Sequence, residues 1–99
     1  MKSEEKEIFQ QGERFLGYII ERPLGKGGLG AIYLVRHEML DALFALKVLY
    51  TQVAQKDPSS IKRFLREARI STRIKHRNLV AVHDCGYDQE RDIYYFVMD

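Results

Sequence analysis

The sequence predicts an α+β domain: a five-stranded antiparallel sheet with one helix inserted between the third and fourth strands. Five short segments are rich in β-branched and aromatic residues and are separated by turn-forming residues, which is typical of strands. One longer segment, from about residue 57 to residue 78, repeats apolar residues at intervals of three and four, the period of a helix that buries one face. A length of 99 residues limits the chain to one small domain.

Composition favours a folded cytoplasmic domain. Hydrophobic residues make up 45% and charged residues 30% of the chain, unlike a disordered tail. The net charge of +2 is too small to predict nucleic-acid binding. No apolar run reaches the roughly 18 residues of a membrane-spanning helix, and the charged residues 1–7 do not resemble a signal peptide. The single Cys85 cannot form an internal disulfide, which fits a reducing compartment.

The chain divides into a flexible N-terminal segment, residues 1–16, and a folded domain, residues 17–99. The third predicted strand is apolar on both faces, as expected for a central strand. Pro23 lies near the end of the first strand and requires that its backbone position donates no hydrogen bond to the sheet. The predicted strands span residues 17–24, 31–37, 42–50, 79–87 and 92–98.

The helix should begin at Asp57 and Pro58, because an N-cap residue followed by proline is typical of a helix start. It should end near residues 75–78, where cations favour the negative end of the helix dipole. Its polar face is basic, which we interpret as a solvent-exposed face; nucleic-acid binding is the disfavoured alternative. The three histidines show no metal-ligand spacing, so we expect no metal site.

Three glycines, Gly25, Gly27 and Gly30, follow the G-x-G-x-x-G spacing. Glycines let a backbone approach a phosphate without a Cβ in the way. Dinucleotide-binding folds use the same spacing, but there a helix begins at the third glycine. Here a β-rich segment, residues 31–36, follows it, and no Gly-Lys-Ser/Thr closes a P-loop. The pattern therefore predicts a glycine-rich turn between two antiparallel strands, with Lys47 on the next strand.

In this arrangement the chain resembles the N-terminal, ATP-binding lobe of eukaryotic-type protein kinases, and most of all the bacterial serine/threonine kinases. The resemblance covers about residues 18–99 and consists of several motifs in the family's order. They are the glycine-rich loop at 24–33, the lysine motif at 45–47, the glutamate-bearing helix at 64–68, the helix–strand junction at 76–80 and the strand entering the hinge at 95–99.

The resemblance implies ATP as the ligand and assigns roles to individual residues. Lys47 would contact the α- and β-phosphate oxygens, and Glu67 would form the ion pair with Lys47 that the family needs for activity. Met98 would be the gatekeeper behind the adenine, and Asp99 would begin the hinge. The nucleotide-binding residues implied are Leu24, Gly25, Lys26, Gly27, Gly28, Leu29, Gly30, Ile32, Ala45, Lys47, Met98 and Asp99.

Two further motifs of the family, His-Arg-Asp and Asp-Phe-Gly, do not occur in the 99 residues. They supply the catalytic base and the Mg²⁺ ligands, so we expect a kinase N-lobe truncated at the hinge and unable to transfer phosphate by itself. The parent would transfer the ATP γ-phosphate to serine or threonine of a protein substrate. The alternative is a non-catalytic pseudokinase or regulatory binding module, against which the presence of Lys47 and Glu67 argues.

The expected partners follow from the same interpretation. They are ATP, a protein substrate of the parent, no nucleic acid and no membrane segment in this chain. The lobe face near Val82 and Met98 would pack on the second lobe in a whole kinase. Because an exposed apolar face attracts partners, we expect a homodimer or larger assembly at high concentration.

Overall fold

The computed structural model describes residues 8–26, 30–50, 56–73 and 82–99, without the side chains of residues 67–73. Within these ranges the strands form one antiparallel sheet of the order β1-β2-β3-β4-β6-β5. The α+β class and the position of the helix between β4 and β5 are confirmed. The elements are β1 (Arg14–Phe15), β2 (Tyr18–Lys26), β3 (Gly30–His37), β4 (Leu43–Leu49), α1 (Ser59–Arg73), β5 (Val82–Asp88) and β6 (Ile93–Met98).

The described sheet has six strands, one more than the five predicted, and the additional strand is β1. It pairs with the start of β2 through Arg14 opposite Ile19 and Phe15 opposite Tyr18. The connecting residues, Leu16 and Gly17, have φ angles of +52° and +89°, as a type I′ hairpin turn requires at both central positions. A strand of two residues is too short to show an alternating pattern, so the sequence could not reveal it.

The larger core lies on one face of the sheet and includes two aromatic rings from the N-terminal segment. Phe9 is fully buried, and its ring lies 4.9 Å from that of Phe15 and 5.5 Å from that of Tyr33. Residues 8–15, which the sequence places in a flexible segment, thus cover this face. The buried members are Phe9, Phe15, Tyr18, Ile20, Ala31, Tyr33, Val35, Leu46, Val48, Ile93, Tyr95 and Val97.

Arg91, in the turn between β5 and β6, fastens the N-terminal segment to the sheet. Its guanidinium carbon lies 5.2 Å from the ring centroid of Phe9 and 5.3 Å from that of Phe15. Its Nη2 contacts Oε2 of Glu13 at 2.9 Å. The Gln10 amide donates a hydrogen bond to Glu13 at 3.0 Å, and this donor together with Arg91 lowers the pKa of Glu13.

A second, smaller core of Leu49, Phe64 and Phe96 lies where α1 packs on the sheet. The predicted helix start is confirmed by the cap: Asp57 accepts a hydrogen bond from the amide of Ser59 at 3.2 Å. The helix continues to Arg73. The helix end and junction predicted over residues 74–80 lie outside the described residues.

Strand β2 contains two register shifts against β3, between Ile20 and Arg22 and between Pro23 and Gly25. Such β-bulges bend a strand and increase its twist. Pro23 lies directly between the two irregularities, a kind of position where the missing N–H is tolerated. The hairpin end that carries Gly25 is therefore bent relative to the start of β2.

Candidate functional site

The candidate site is built around Lys47, on the central strand β4. Lys47 lies opposite Ile32 of β3 and opposite Phe96 of β6, and Ala45 lies opposite Met98. Direct cross-strand partners share one face of a sheet, as do residues two positions apart along a strand. The structure therefore brings Ile32, Ala45, Lys47 and Met98 together on one face, and each is half-buried.

The ammonium of Lys47 lies over an aromatic ring. Its Nζ is 5.7 Å from the ring centroid of Phe96, within the range of a cation–π contact. Phe96 is 2% exposed, so its ring is fixed by the surrounding core. Phe96 was not among the predicted site residues; its position two residues before Met98, on the same face of β6, was the available signal.

The glycine-rich turn adjoins this face, at the end of the β2–β3 hairpin. Leu24, Gly25 and Lys26 are exposed at the end of β2, and Gly30 is the first residue of β3. A strand and not a helix follows the third glycine, which excludes the dinucleotide-binding arrangement. The expected contacts of residues 27–29 lie outside the described residues.

The two described glycines of this motif meet different surroundings. A Cβ at Gly25 would find no heavy atom within 4 Å, whereas a Cβ at Gly30 would lie 1.9 Å from the carbonyl oxygen of Val48. Gly30 is thus required by the close approach of β3 to β4. Gly25, opposite Ile32, leaves its backbone accessible to a ligand.

The chain leaves the site at Met98 and Asp99. Met98 lies between Ala45 and Val82 in the sheet. The exposed Asp99 carboxylate contacts Nε2 of His83, which was not among the predicted site residues. His83 lies at the register shift between Val82 and Asp84. Because the shift is invisible in the sequence, this contact could not be foreseen.

Glu67 lies within α1, but its side chain is outside the described residues, so the pair with Lys47 stays a prediction. The structure does describe Phe64, three residues earlier on the helix. The ring of Phe64 lies 4.8 Å from that of Phe96, and Phe96 lies opposite Lys47. This places α1 against the face of the sheet that carries the lysine.

The residues on this face fit an adenine nucleotide. Ile32, Ala45 and Met98 offer apolar surface of the kind that binds a base. Lys47 offers a cation suited to phosphate oxygens, and the open space at Gly25 lets a ligand approach the backbone there. A sheet with a glycine-rich hairpin, an adjacent lysine and a helix packed behind it defines the nucleotide-binding lobe of a kinase.

Comparison with known proteins gives the same answer. The family described as the protein kinase domain matches residues 18–99, and the chain belongs to this family. Within the described ranges no helix has the length and apolar character needed to cross a membrane.

The relatives it resembles are bacterial serine/threonine-protein kinases. The chain is 44% identical over 80 residues to PknJ of Mycobacterium tuberculosis, covering 81% of the chain and 13% of that protein. It is 40% identical over 89 residues to PrkC of Bacillus subtilis, covering 89% of the chain and 13% of that protein. The crystal structure of the M. tuberculosis PknI kinase domain superposes with a TM-score of 0.70 at 34% identity, covering 92% of the chain and 35% of that domain. The chain therefore spans a small part of the curated relatives it matches.

Proposed function

We propose that this chain is the ATP-binding part of a serine/threonine protein kinase, whose whole protein transfers the ATP γ-phosphate to serine or threonine of a protein substrate. The observation that carries the proposal is the placement of Lys47 on one face with Ile32, Ala45 and Met98, beside the glycine-rich turn. The names of the bacterial relatives support serine/threonine specificity.

Apolar side chains would contact the adenine, and a cationic side chain would contact the phosphates. Ile32 and Ala45 would pack on one side of the adenine, Met98 would lie behind it, and the backbone at Asp99 would hydrogen-bond its polar edge. Lys47 would contact the α- and β-phosphate oxygens as a point charge, because an ammonium on a flexible stem offers three donors to an anion. Bound Mg·ATP supplies the transferred phosphoryl group and the neutralising metal charge.

Glu67 is proposed to fix the Lys47 ammonium from α1. A carboxylate in contact with the ammonium would reduce its conformational freedom and aim it at the phosphates, which lowers the entropic cost of binding. The contact between Phe64 and Phe96 supports this role, because it shows that α1 packs on the correct face of the sheet.

The 99 residues are proposed to bind nucleotide without catalysing transfer. The motifs that carry the catalytic base and the Mg²⁺ ligands do not occur in this sequence. No labelled phosphate should therefore be incorporated into a protein substrate by this chain, and sustained metal-dependent incorporation would contradict the proposal. A cytoplasmic location is proposed because the sequence has a single cysteine, Cys85, which cannot form an internal disulfide and so suits a reducing compartment.

The test is nucleotide affinity measured by calorimetric titration with Mg·ATP. Lys47→Met removes the proposed phosphate contact, and Lys62→Met is the matched control because Lys62 is exposed on α1. Loss of a hydrogen bond to a charged group costs about 1.5–3 kcal/mol, so the Lys47 variant should bind about tenfold or more weakly, while the control binds as the parent chain does. Equal affinity of both variants would overturn the proposal.

A further inference from the structure

Three side chains, Phe64, Phe96 and Lys47, form a chain of contacts between α1 and the candidate site. The ring of Phe64 on α1 lies 4.8 Å from the ring of Phe96, at an interplanar angle of 49°. Phe96 in turn lies 5.7 Å, centroid to Nζ, from the ammonium of Lys47. These contacts connect the helix to the lysine through the ring of Phe96.

The middle ring has little freedom to move independently of its neighbours. Phe96 is 2% exposed and Phe64 7% exposed, and both belong to one buried cluster with Leu49. Met98, at the other side of the candidate site, also packs against this cluster. A displacement of α1 would therefore displace the Phe96 ring, because close-packed interiors transmit strain.

The contact between Phe96 and Lys47 is directional. The face of an aromatic ring is negative and attracts a cation placed over it, whereas an aliphatic side chain of similar size has no such field. Lys47 and Phe96 are direct cross-strand partners, so their side chains leave the same face of the sheet next to each other.

We propose that Phe96 is a positioning residue for Lys47: it holds the ammonium over its ring and makes the position of that ammonium depend on α1 through Phe64. The inference rests on the proposed function, in which Lys47 meets the phosphates of ATP. It adds a second connection between helix and lysine, independent of the carboxylate of Glu67. A helix that moves away would weaken nucleotide binding even where the carboxylate plays no part.

The experiment uses the 99-residue chain with its lysines converted to ¹³C-dimethyl-lysine, a modification that keeps the positive charge. Lys47→Arg identifies the Lys47 methyl signal in the NMR spectrum. A ring beneath the ammonium shifts this signal upfield, and cross-relaxation between the Lys47 side chain and the Phe96 ring protons reports the same contact without any variant.

Phe96→Leu removes the ring and keeps an apolar side chain. Phe9→Leu is the matched control, because Phe9 is equally buried and contacts a cation, Arg91, on the opposite face. The expected result is that Phe96→Leu, unlike Phe9→Leu, moves the Lys47 signal downfield and weakens Mg·ATP binding about two- to fivefold. Phe64→Leu should shift the same signal in part.

The outcomes separate the two proposals. An unmoved Lys47 signal in a folded Phe96→Leu variant, or absent cross-relaxation in the unsubstituted chain, overturns the role of Phe96 whatever the nucleotide affinity. An equal shift in Phe9→Leu overturns it too, because the effect would then be general destabilisation. The third outcome is that Phe96→Leu loses the upfield shift of the Lys47 signal as expected, but the unsubstituted chain does not bind Mg·ATP. This outcome overturns the proposed function, and with it the functional part of this inference.

Discussion

Gly25 and Gly30 belong to one sequence motif and do different physical work. The space beside Gly25 is open, and Gly25 lies opposite Ile32, the cross-strand partner of Lys47. Gly30 has the carbonyl of Val48 where a Cβ would be. A glycine motif thus combines a position left clear for a ligand with a position left clear for the neighbouring strand.

This difference predicts that alanine impairs stability at Gly30 but nucleotide binding at Gly25. Gly30→Ala forces backbone apart and should lower the free energy of unfolding by about 1–3 kcal/mol or more. Gly25→Ala should change it by less than about 0.5 kcal/mol, because the methyl group meets no protein atom, yet it should weaken Mg·ATP binding. Urea denaturation and nucleotide titration measure the two quantities. Equal destabilisation by both substitutions would contradict the assignment.

The strand positions of individual candidate site residues could be predicted from sequence where a motif fixes them to a strand. Ala45, Lys47 and Met98 share a face because their strands are regular and lie side by side in the order β4-β6. The contact between His83 and Asp99 depends on a register shift, and the role of Phe96 depends on a ring geometry. The register shift leaves no mark in a linear pattern of residue types, and for Phe96 the pattern gives the face of the strand but not the contact of its ring.

At the scale of elements, the N-terminal hairpin is part of the folded unit. Phe9 and Phe15 are buried, and the amide of Phe9 donates a 3.4 Å hydrogen bond to the hydroxyl of Tyr33. The sequence could not indicate this, because charged and polar residues interrupt the apolar ones and β1 has two residues. By contrast β2, β3, β4, β5, β6 and α1 were predicted, since each is long enough to show a pattern.

Deletion tests the contribution of this segment. Removing residues 1–15 uncovers one face of the sheet and should lower the free energy of unfolding by more than about 3 kcal/mol, the cost of losing a single buried phenylalanine. Removing residues 1–7, which are mostly charged, is the control and should change it little. Thermal unfolding followed by circular dichroism measures both; similar midpoints for the two deletions would show that residues 8–15 form a flexible segment after all.

The Glu13–Arg91 contact gives this element a pH dependence. The pKa of Glu13 is lowered in the folded chain, by the Gln10 amide first and Arg91 second. Its contribution to stability is therefore present above the pKa of the unfolded chain, about 4.3, and is lost as the pH falls through the lower folded value. Compared with the unsubstituted chain, Glu13→Gln should unfold at a lower temperature at pH 7, and the difference should shrink towards pH 3. A constant difference would refute the linkage.

The two faces of the sheet differ in role, because one carries the large core and the other carries the candidate site. The large aromatic core lies on the face opposite Lys47, so the site residues can stay half-exposed without loss of the main hydrophobic contribution. The small core under α1 is the part that joins the two roles, because it stabilises the fold and contacts the site. Variation on the site face should therefore be better tolerated than variation in the large core.

Self-association is expected at the same scale. Val82 and Met98, near which we expect the contact, are half-buried, and large apolar side chains elsewhere in the described ranges are more exposed, including Met39 at 87% and Leu40 at 67%. Light scattering at rising protein concentration should give a mass of two chains or more. A mass of one chain at every accessible protein concentration would contradict the expected homodimer.

One substitution in the turn between β1 and β2 should increase the stability of the protein. Leu16 adopts a left-handed backbone, at φ +52°, in a turn that prefers Asn-Gly, and its side chain is 54% exposed. A branched side chain in that conformation costs about 1 kcal/mol, which asparagine at the same place would largely avoid. Leu16→Asn should accordingly raise the unfolding temperature, and it would also replace an exposed apolar side chain with a polar one. A single substitution in the turn should therefore increase both stability and solubility.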